Sequence, residues 1–540
     1  MTKEIVNILE SWLAGRVKEL FNAEVTIDIT EPVNFNFGDL STNLPFKLAK
    51  IAKKSPGQIG EEILSASIPE IFDRAEIAGT GYINFWLAEG FLHNIIRNII
   101  QSPEEWFLKD CRNQPENIQI EFVSANPTGP LNIVSARAAS VGSTLANTLR
   151  SAGHDVTTEF YINDCGNQIQ LLRKSFGARI LQIKGENTAI PEDGYRGEYL
   201  RDYAHEYLES NSQTTSEKWI LQRILHEQKE TLAGFNTDFD VWFPESKIRE
   251  SNKVAEILER LDIDGYTYKS DNALWFAASQ VNSAVEDFVL VKSDGEWAYG
   301  LVDIAYHADK FEGRRFDRIY TILGPDHHGH KARMETAMKA LGHDEKLIVL
   351  ILQQVNLIEG GEKVKMSKRL GKLITMKELM DDVGVDAARY FFLARRMEAH
   401  LDFDLNLARN TSEENPVYYI QYAYARIISI IEFAENKGFS KEMISNVNFE
   451  ILSEPEETAL IRMLSRFPSE INKSAQQMQT HIIPFYLTEL AKMFHNFYSK
   501  HRVVGDDRNI SCARLALVFA VACTIRNGLD ICGINAPDNM

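Results

Sequence analysis

Cysteine is scarce, with five in 540 residues and no CxxC pair. This excludes a disulfide framework and a zinc ribbon. No uninterrupted apolar run approaches the ~20 residues that cross a bilayer; Leu515–Ile525 is among the longest. The opening stretch, MTKEIVNILESW, carries acidic residues early and lacks an apolar core with a cleavage-like end, so no signal peptide is expected. Basic charge is also in deficit: 58 Lys and Arg face 76 Asp and Glu, a net −18. No global field would draw such a chain to nucleic acid. What is present is 44% hydrophobic and 25% charged, the composition of a chain that buries several cores. At ~150 residues per domain the length suggests about three or four domains. The expectation is a soluble, cytoplasmic, multidomain protein with no membrane partner.

Two local patches run against the acidic balance. Phe46–Lys54 contains Lys47, Lys50, Lys53 and Lys54 without an acid, as a solvated helix face would. Lys363–Lys372 contains Lys363, Lys365, Lys368, Arg369 and Lys372 in a compact stretch beside Gly360 and Gly361.

Residues 3–21 space Ile5, Leu9, Trp12, Leu13, Val17 and Leu20 as one face of an amphipathic helix. With strand-like runs at Glu24–Ile29 and Tyr82–Leu87, residues 1–112 read as a small α+β domain. Near Pro115 the pattern changes. Asn117–Val123 alternates like a strand, Ser124–Pro130 is a loop, Ser135–Ala152 is helical and stops at Gly153, and Val156–Ile162 is strand-like again. This βαβ unit implies a parallel sheet with a ligand site at its first loop. Residues ~166–290 read as a charged, partly helical insertion, after which Arg318–Leu323, a helix to Leu341 and the strand Leu347–Val355 resume the sheet. The predicted fold is α/β, with a Rossmann-type parallel-sheet catalytic domain over 113–398. Beyond about 400 strand signals vanish. Pro416–Phe433, Glu454–Asn472, His481–Tyr498 and Cys512–Ile531 make 399–540 an all-α helical bundle, with a capping-box pattern at Ser453 and Glu456.

Three loops fall at the ligand-binding edge of that sheet: Ser124–Ser135, Gly324–His330 and Lys363–Lys372. In the last, KMSKR sets Lys365 and Lys368 three apart around Ser367. Two ammonium groups so placed neutralise a triphosphate as charge moves to a leaving pyrophosphate.

The chain resembles the class I aminoacyl-tRNA synthetases, whose second signature is KMSKS-like, and within them the arginyl-tRNA synthetases along nearly its whole length. The matching stretches include GDLSTN (38–43), AGTGYINF (78–85), EFVSANPTGPL (121–131), EFYINDCGNQ (159–168), DIAYHADKF (303–311), GPDHHG (324–329), KMSKR (365–369), VGVDAARYFFL (383–393) and RNGLDICGINAPDNM (526–540). The resemblance implies an arginine–tRNA ligase. Such an enzyme activates L-arginine with ATP, with Mg2+ and no tightly bound cofactor, and transfers it to the 3′ end of tRNA(Arg). It implies a monomer whose N-terminal domain holds the tRNA and whose bundle reads the anticodon. Carried over by position, Ser124, Asn126, Tyr299, Asp303 and His327 contact arginine. Pro130, Asn132, Val134, Ser135 and Lys368 contact ATP, and Lys365, Ser367, Lys368, Asn132 and Ser135 carry the chemistry. Tyr418, Tyr422 and Tyr424 contact tRNA, although aromatics at helical spacing equally suit a core. Asp303 faces a guanidinium as a charge-assisted partner, or else caps a helix at Ile304. Tyr161, Asn163, Asp164 and Gln168 shape the same pocket, Asn163 and Asp164 also suiting a turn. HHGH lacks a third and fourth ligand for a metal, so none is assigned.

One signature departs from the pattern. After PTGPL the family has His-x-Gly-His, and here stand Asn132, Ile133, Val134 and Ser135. The histidines would donate to the phosphates of ATP. Asn132 and Ser135 are shorter, uncharged donors, and Val134 puts a branched side chain where the glycine exposes backbone to the adenine. A second function follows from this departure: a synthetase-like paralogue that binds tRNA with lost or altered catalysis.

Overall fold

The computed structural model describes residues 3–540 except 33, 112–113, 211 and 365–373. The N-terminal helix Lys3–Phe21 buries Ile5, Leu9, Leu13 and Val17 of the expected stripe, while Trp12 is half-buried and Leu20 is exposed. It packs beside a four-stranded antiparallel sheet in which Tyr82–Leu87 runs between Leu40–Thr42 and Phe72–Ala78. The strand expected at Glu24–Ile29 shrinks to Ile29–Thr30 at the sheet edge.

The central sheet has five parallel strands: β1 (Asn117–Glu121), β2 (Asp155–Ile162), β3 (Val241–Pro244), β4 (Arg318–Leu323) and β5 (Leu347–Ile351). Their spatial order is 3-2-1-4-5, the order of a Rossmann half, with the switch point between β1 and β4. β3 corrects the reading of 166–290 as one insertion, because an edge strand of the main sheet lies inside that range. At four residues, with its Val241, Trp242 and Pro244 only half-buried, it gives too short an apolar run to stand out.

Helix α1 (Ile133–Ser151) crosses from β1 to β2 and is buried along almost its whole length. Small residues permit this. A Cβ on Gly142 would stand 2.1 Å from the Phe122 ring, and Ser140, Ser143 and Thr148 return their hydroxyls to carbonyls one turn back at 2.9, 2.7 and 2.7 Å. The insertion supplies α2 (Gly166–Ile183), α3 (Tyr199–Glu209) and α4 (Ser216–Gly234), and α5 (Tyr299–Glu312) and α6 (His328–Ala340) flank the sheet near β4.

The bundle consists of α7 (Pro416–Asn436), α8 (Pro455–Gln477), α9 (Ile482–Lys500) and α10 (Arg508–Cys532). Its first capping box is Glu454 with Glu457, one residue beyond the predicted pair. A short strand, Leu401–Asp404, pairs with Val355–Glu359, so strands persist slightly past 400. α10 is long and apolar enough to span a bilayer, yet it is mostly buried, packed against α1, α7, α8 and α9.

Two buried arginines lock the parts together. Arg137 on α1 donates to the carbonyls of Gln353, Gln354, Arg396 and Ala399 at 2.5–3.4 Å. Arg389 donates to Cys532 O at 2.8 Å, Phe235 O at 2.9 Å, Thr237 Oγ1 at 3.0 Å and Ser143 Oγ at 2.7 Å. Burial lowers the pKa of each to about 10, so both remain cationic.

Candidate active site

Glu121 at the carboxyl end of β1 and Glu159 within β2 are buried acids paired in register on one face of the sheet. Helix α5 and the turn after it cover them with two cations and a phenol. Lys310 Nζ reaches Glu121 Oε2 at 2.6 Å and Glu159 Oε1 at 3.8 Å. Tyr306 donates to both carboxylates, and Arg314 closes on Glu159. Glu245, just after β3 and 2% exposed, holds Arg249 at 2.5 Å. Each of these acids has a permanent cation.

Asp303 does not. It lies inside α5, one turn after Tyr299, so the alternative of a helix cap is excluded and both side chains share a helix face. Asp303 is 4% exposed, and its Oδ2 has no hydrogen-bond partner among the described residues. The nearest basic group is His330 Nε2, at 3.4 Å. Burial, then the charges of Glu121 and Glu245, raise the Asp303 pKa well above the usual carboxylate range; Tyr299 and Lys310 oppose the shift without reversing it. Burial, with His327 next, lowers the pKa of His330, which disfavours its cationic form. Tyr299 is 53% exposed.

Beyond β1 the backbone turns sharply. Val123 and Ser124 both take positive φ, 65° and 37°, a costly conformation for a β-branched residue. Ser124 Oγ is held from both sides, donating to Glu121 Oε1 at 3.2 Å and accepting from Tyr161 N at 3.1 Å. Asn126 is exposed, and its amide donates to Gln168 Oε1 at 2.8 Å. Asp164 is a local anchor, accepting from Ser246 N at 2.9 Å and Ser246 Oγ at 2.6 Å beside Glu245. The Asn163 amide, turned to donate, reaches Cys165 O and Glu245 Oε2 at 3.1 and 3.0 Å.

The departed signature forms the first turn of α1. Asn132 is its N-cap, with Oδ1 accepting from Val134 N at 2.9 Å and Ser135 N at 3.2 Å. Its amide oxygen is thus committed to the helix. Val134 is 44% exposed and Ser135 is buried. Met376 N donates to Leu131 O at 2.8 Å and Thr375 bridges Asn132, so the chain beyond 373 returns to this turn. Lys365, Ser367 and Lys368 lie outside the described residues. His327 is exposed at the start of α6, its ring 6.1 Å from that of His330. Ser124, Tyr299, Asp303 and His330 therefore converge near the switch point. Glu245 and Lys310 join them unforeseen, because their roles depend on strand register and not on neighbours in sequence.

In the bundle, Tyr418 and Tyr422 stack in parallel at 6.5 Å, and Tyr422 also stacks on His495 at 5.8 Å. Tyr424 is a correction. It is 4% exposed, with its hydroxyl on Asp538 of the C-terminal tail at 3.3 Å, so its ring cannot stack on a base. Beside α7 and α9 opens a cleft of about 600 Å³ lined by Arg426, Phe433, Tyr498, Lys500 and Arg502, among others.

A family model described as the class I (R) tRNA synthetase catalytic domain matches residues 96–399. Others, described as the arginyl-tRNA synthetase N-terminal domain and the DALR anticodon binding domain, match 3–87 and 420–540. Fold and sequence together define a class I aminoacyl-tRNA synthetase. The arginine–tRNA ligase of Carboxydothermus hydrogenoformans is 44% identical over 530 residues, covering 96% of this chain and 95% of that protein. That of Acetivibrio thermocellus is 39% identical, covering 100% and 98%. The structure of Thermus thermophilus arginyl-tRNA synthetase shares the fold with a TM-score of 0.78 at 22% identity, covering 99% of this chain and 100% of that one. The chain belongs to the arginyl-tRNA synthetase family.

Proposed function

We propose that this chain is an arginine–tRNA ligase that retains catalysis despite its rewritten first signature. The arginine carboxylate attacks the α-phosphorus of ATP and pyrophosphate leaves. The 3′-terminal adenosine hydroxyl of tRNA then takes the arginyl group and AMP leaves. The observation that carries this reading is Asp303, a buried carboxyl that has no Lys or Arg partner among the described residues, while Glu121, Glu159 and Glu245 around it are each paired with one. A substrate guanidinium supplies the missing charge and donors for the unpartnered oxygen. We assign Ser124 and Asn126 to the amino-acid end of arginine and Tyr299 and His327 to its surroundings. Pro130, Asn132, Val134 and Ser135 are assigned to ATP, with Lys365, Ser367 and Lys368 to its phosphates. Magnesium, where the reaction uses it, is assigned to the nucleotide, because Glu121, Glu159 and Glu245 at the floor of the cleft already hold cations of the chain.

The basic cleft of the bundle, which Arg426 lines, and the stacked pair Tyr418 and Tyr422 on the same helix suit unpaired bases of the tRNA. Base stacking on such side chains contributes about 1–3 kcal/mol per base. A monomer remains our expectation from the family resemblance.

Asn132, Val134 and Ser135 favour a second reading, an RNA-binding paralogue without adenylate chemistry. Arginine-dependent ATP–pyrophosphate exchange, with cognate tRNA present, separates the two. Exchange that needs arginine supports the ligase; none above background leaves only the paralogue.

A further inference from the structure

Two side chains of the insertion hold the loop that carries the assigned arginine and ATP contacts. Tyr199, the first residue of α3, donates its hydroxyl to the Thr128 carbonyl at 2.6 Å. Its ring lies against Gly129 so closely that a Cβ there would stand 3.1 Å from ring atoms. Gln228 on α4 is 1% exposed; its Nε2 donates to Gly129 O at 2.9 Å and reaches Asn126 O at 3.5 Å. Consecutive loop carbonyls thus take donors from two helices that lie far along the chain.

These donors arrive on a braced frame. Tyr199 packs edge-on against Tyr203 at 5.8 Å, and the Tyr203 hydroxyl bonds Glu227, the neighbour of Gln228. Arg223 on α4 pairs with Glu206 on α3 at 2.9 Å. The carbonyls of Thr128 and Gly129 are withdrawn from most of the solvent and favour the path on which they meet these two donors. Gly129 is what allows that path to lie flat on the Tyr199 ring.

Resting on the functional reading above, we infer that Tyr199 and Gln228 are positioning residues for adenylate formation. They set the 126–130 turn, which aims Asn126 at arginine on one side and leads Pro130 and Asn132 to ATP on the other. The insertion then acts on both substrates through one short piece of backbone.

Tyr199→Phe keeps the ring under Gly129 and removes only the hydroxyl. Gln228→Leu keeps most of the volume and removes the donor. For each, kcat/KM for pyrophosphate exchange should fall about tenfold to a hundredfold, the range that a small misplacement of reacting groups produces, with KM for arginine and for ATP both raised. Trp219→Phe, which trims the packing of α4 on Phe176 of α2 and Tyr207 of α3 and leaves both donors to the loop in place, should lower Tm and leave both KM values alone. If the Tyr199 and Gln228 variants behave like Trp219→Phe, the proposal is overturned. Amide hydrogen exchange over residues 124–132 reads the same property without turnover. It should be faster in both variants, and unchanged protection overturns the proposal. A parent chain with no arginine-dependent exchange activity, whose variants still loosen 124–132, overturns the ligase reading and still supports the dependence of the loop on these two side chains.

Discussion

Asp303 joins stability to specificity in a single carboxyl. Its pKa is raised from 3.8 by burial and by the neighbouring acids. Between the unfolded and folded values the folded chain therefore holds a proton that the unfolded chain has lost. Stability falls as pH rises through that window, and the penalty is complete above it. Asp303→Asn should accordingly raise Tm at neutral pH while abolishing arginine-dependent pyrophosphate exchange; a lower Tm would show that the carboxylate stabilises the apo fold. Because a bound guanidinium favours the charged form, arginine must displace that proton. Arginine affinity measured by calorimetry should weaken as pH falls through the folded pKa of Asp303, and a flat profile would contradict the pairing. The assignment of Tyr299 and Asp303 to one site came from the family resemblance; that they share a helix face was not legible, since in sequence Asp303 equally suited a cap at Ile304. Glu245, Lys310 and Arg314 were not legible either, since a charge in a linear chain gives no sign of which strand end it will meet.

At the scale of elements, the first turn of α1 is the informative case. Its boundaries follow from periodicity and a C-terminal glycine, and both agree with the structure to within two residues. What the sequence did not reveal is that Asn132 spends its amide oxygen on two backbone N–H groups of its own helix. Loss of such a cap costs about 1 kcal/mol, so Asn132→Ala should lower Tm measurably. The combined change Asn132→His, Val134→Gly and Ser135→His restores the family signature but removes this cap and adds a glycine near the helix start. It should raise the exchange rate and lower Tm together. An unchanged rate would locate the limitation outside this turn. Strand β3 was missed because four residues, three of them partly exposed, carry no strand pattern apart from the sheet that recruits them.

Over the whole molecule, net charge and local charge point in opposite directions. A chain at −18 can attract RNA only where cations gather, as at Arg426, Lys500 and Arg502 in the bundle. Arg426→Gln should weaken tRNA binding and reduce its salt dependence by about one unit of slope, with arginine affinity unchanged; filter binding at several ionic strengths checks this. The domain order along the chain was legible from where strand patterns stop. The joints between domains were not, because Arg389 meets its partners only once α1, the end of the insertion and the tail of α10 are assembled. Gly533 completes that joint, since a Cβ there would stand 2.5 Å from the Arg389 guanidinium. A scanning calorimeter should consequently record a single endotherm for nucleotide fold and bundle together, however many modules the family comparisons divide them into. Arg389→Met should split that peak in two, releasing halves that melt at their own temperatures.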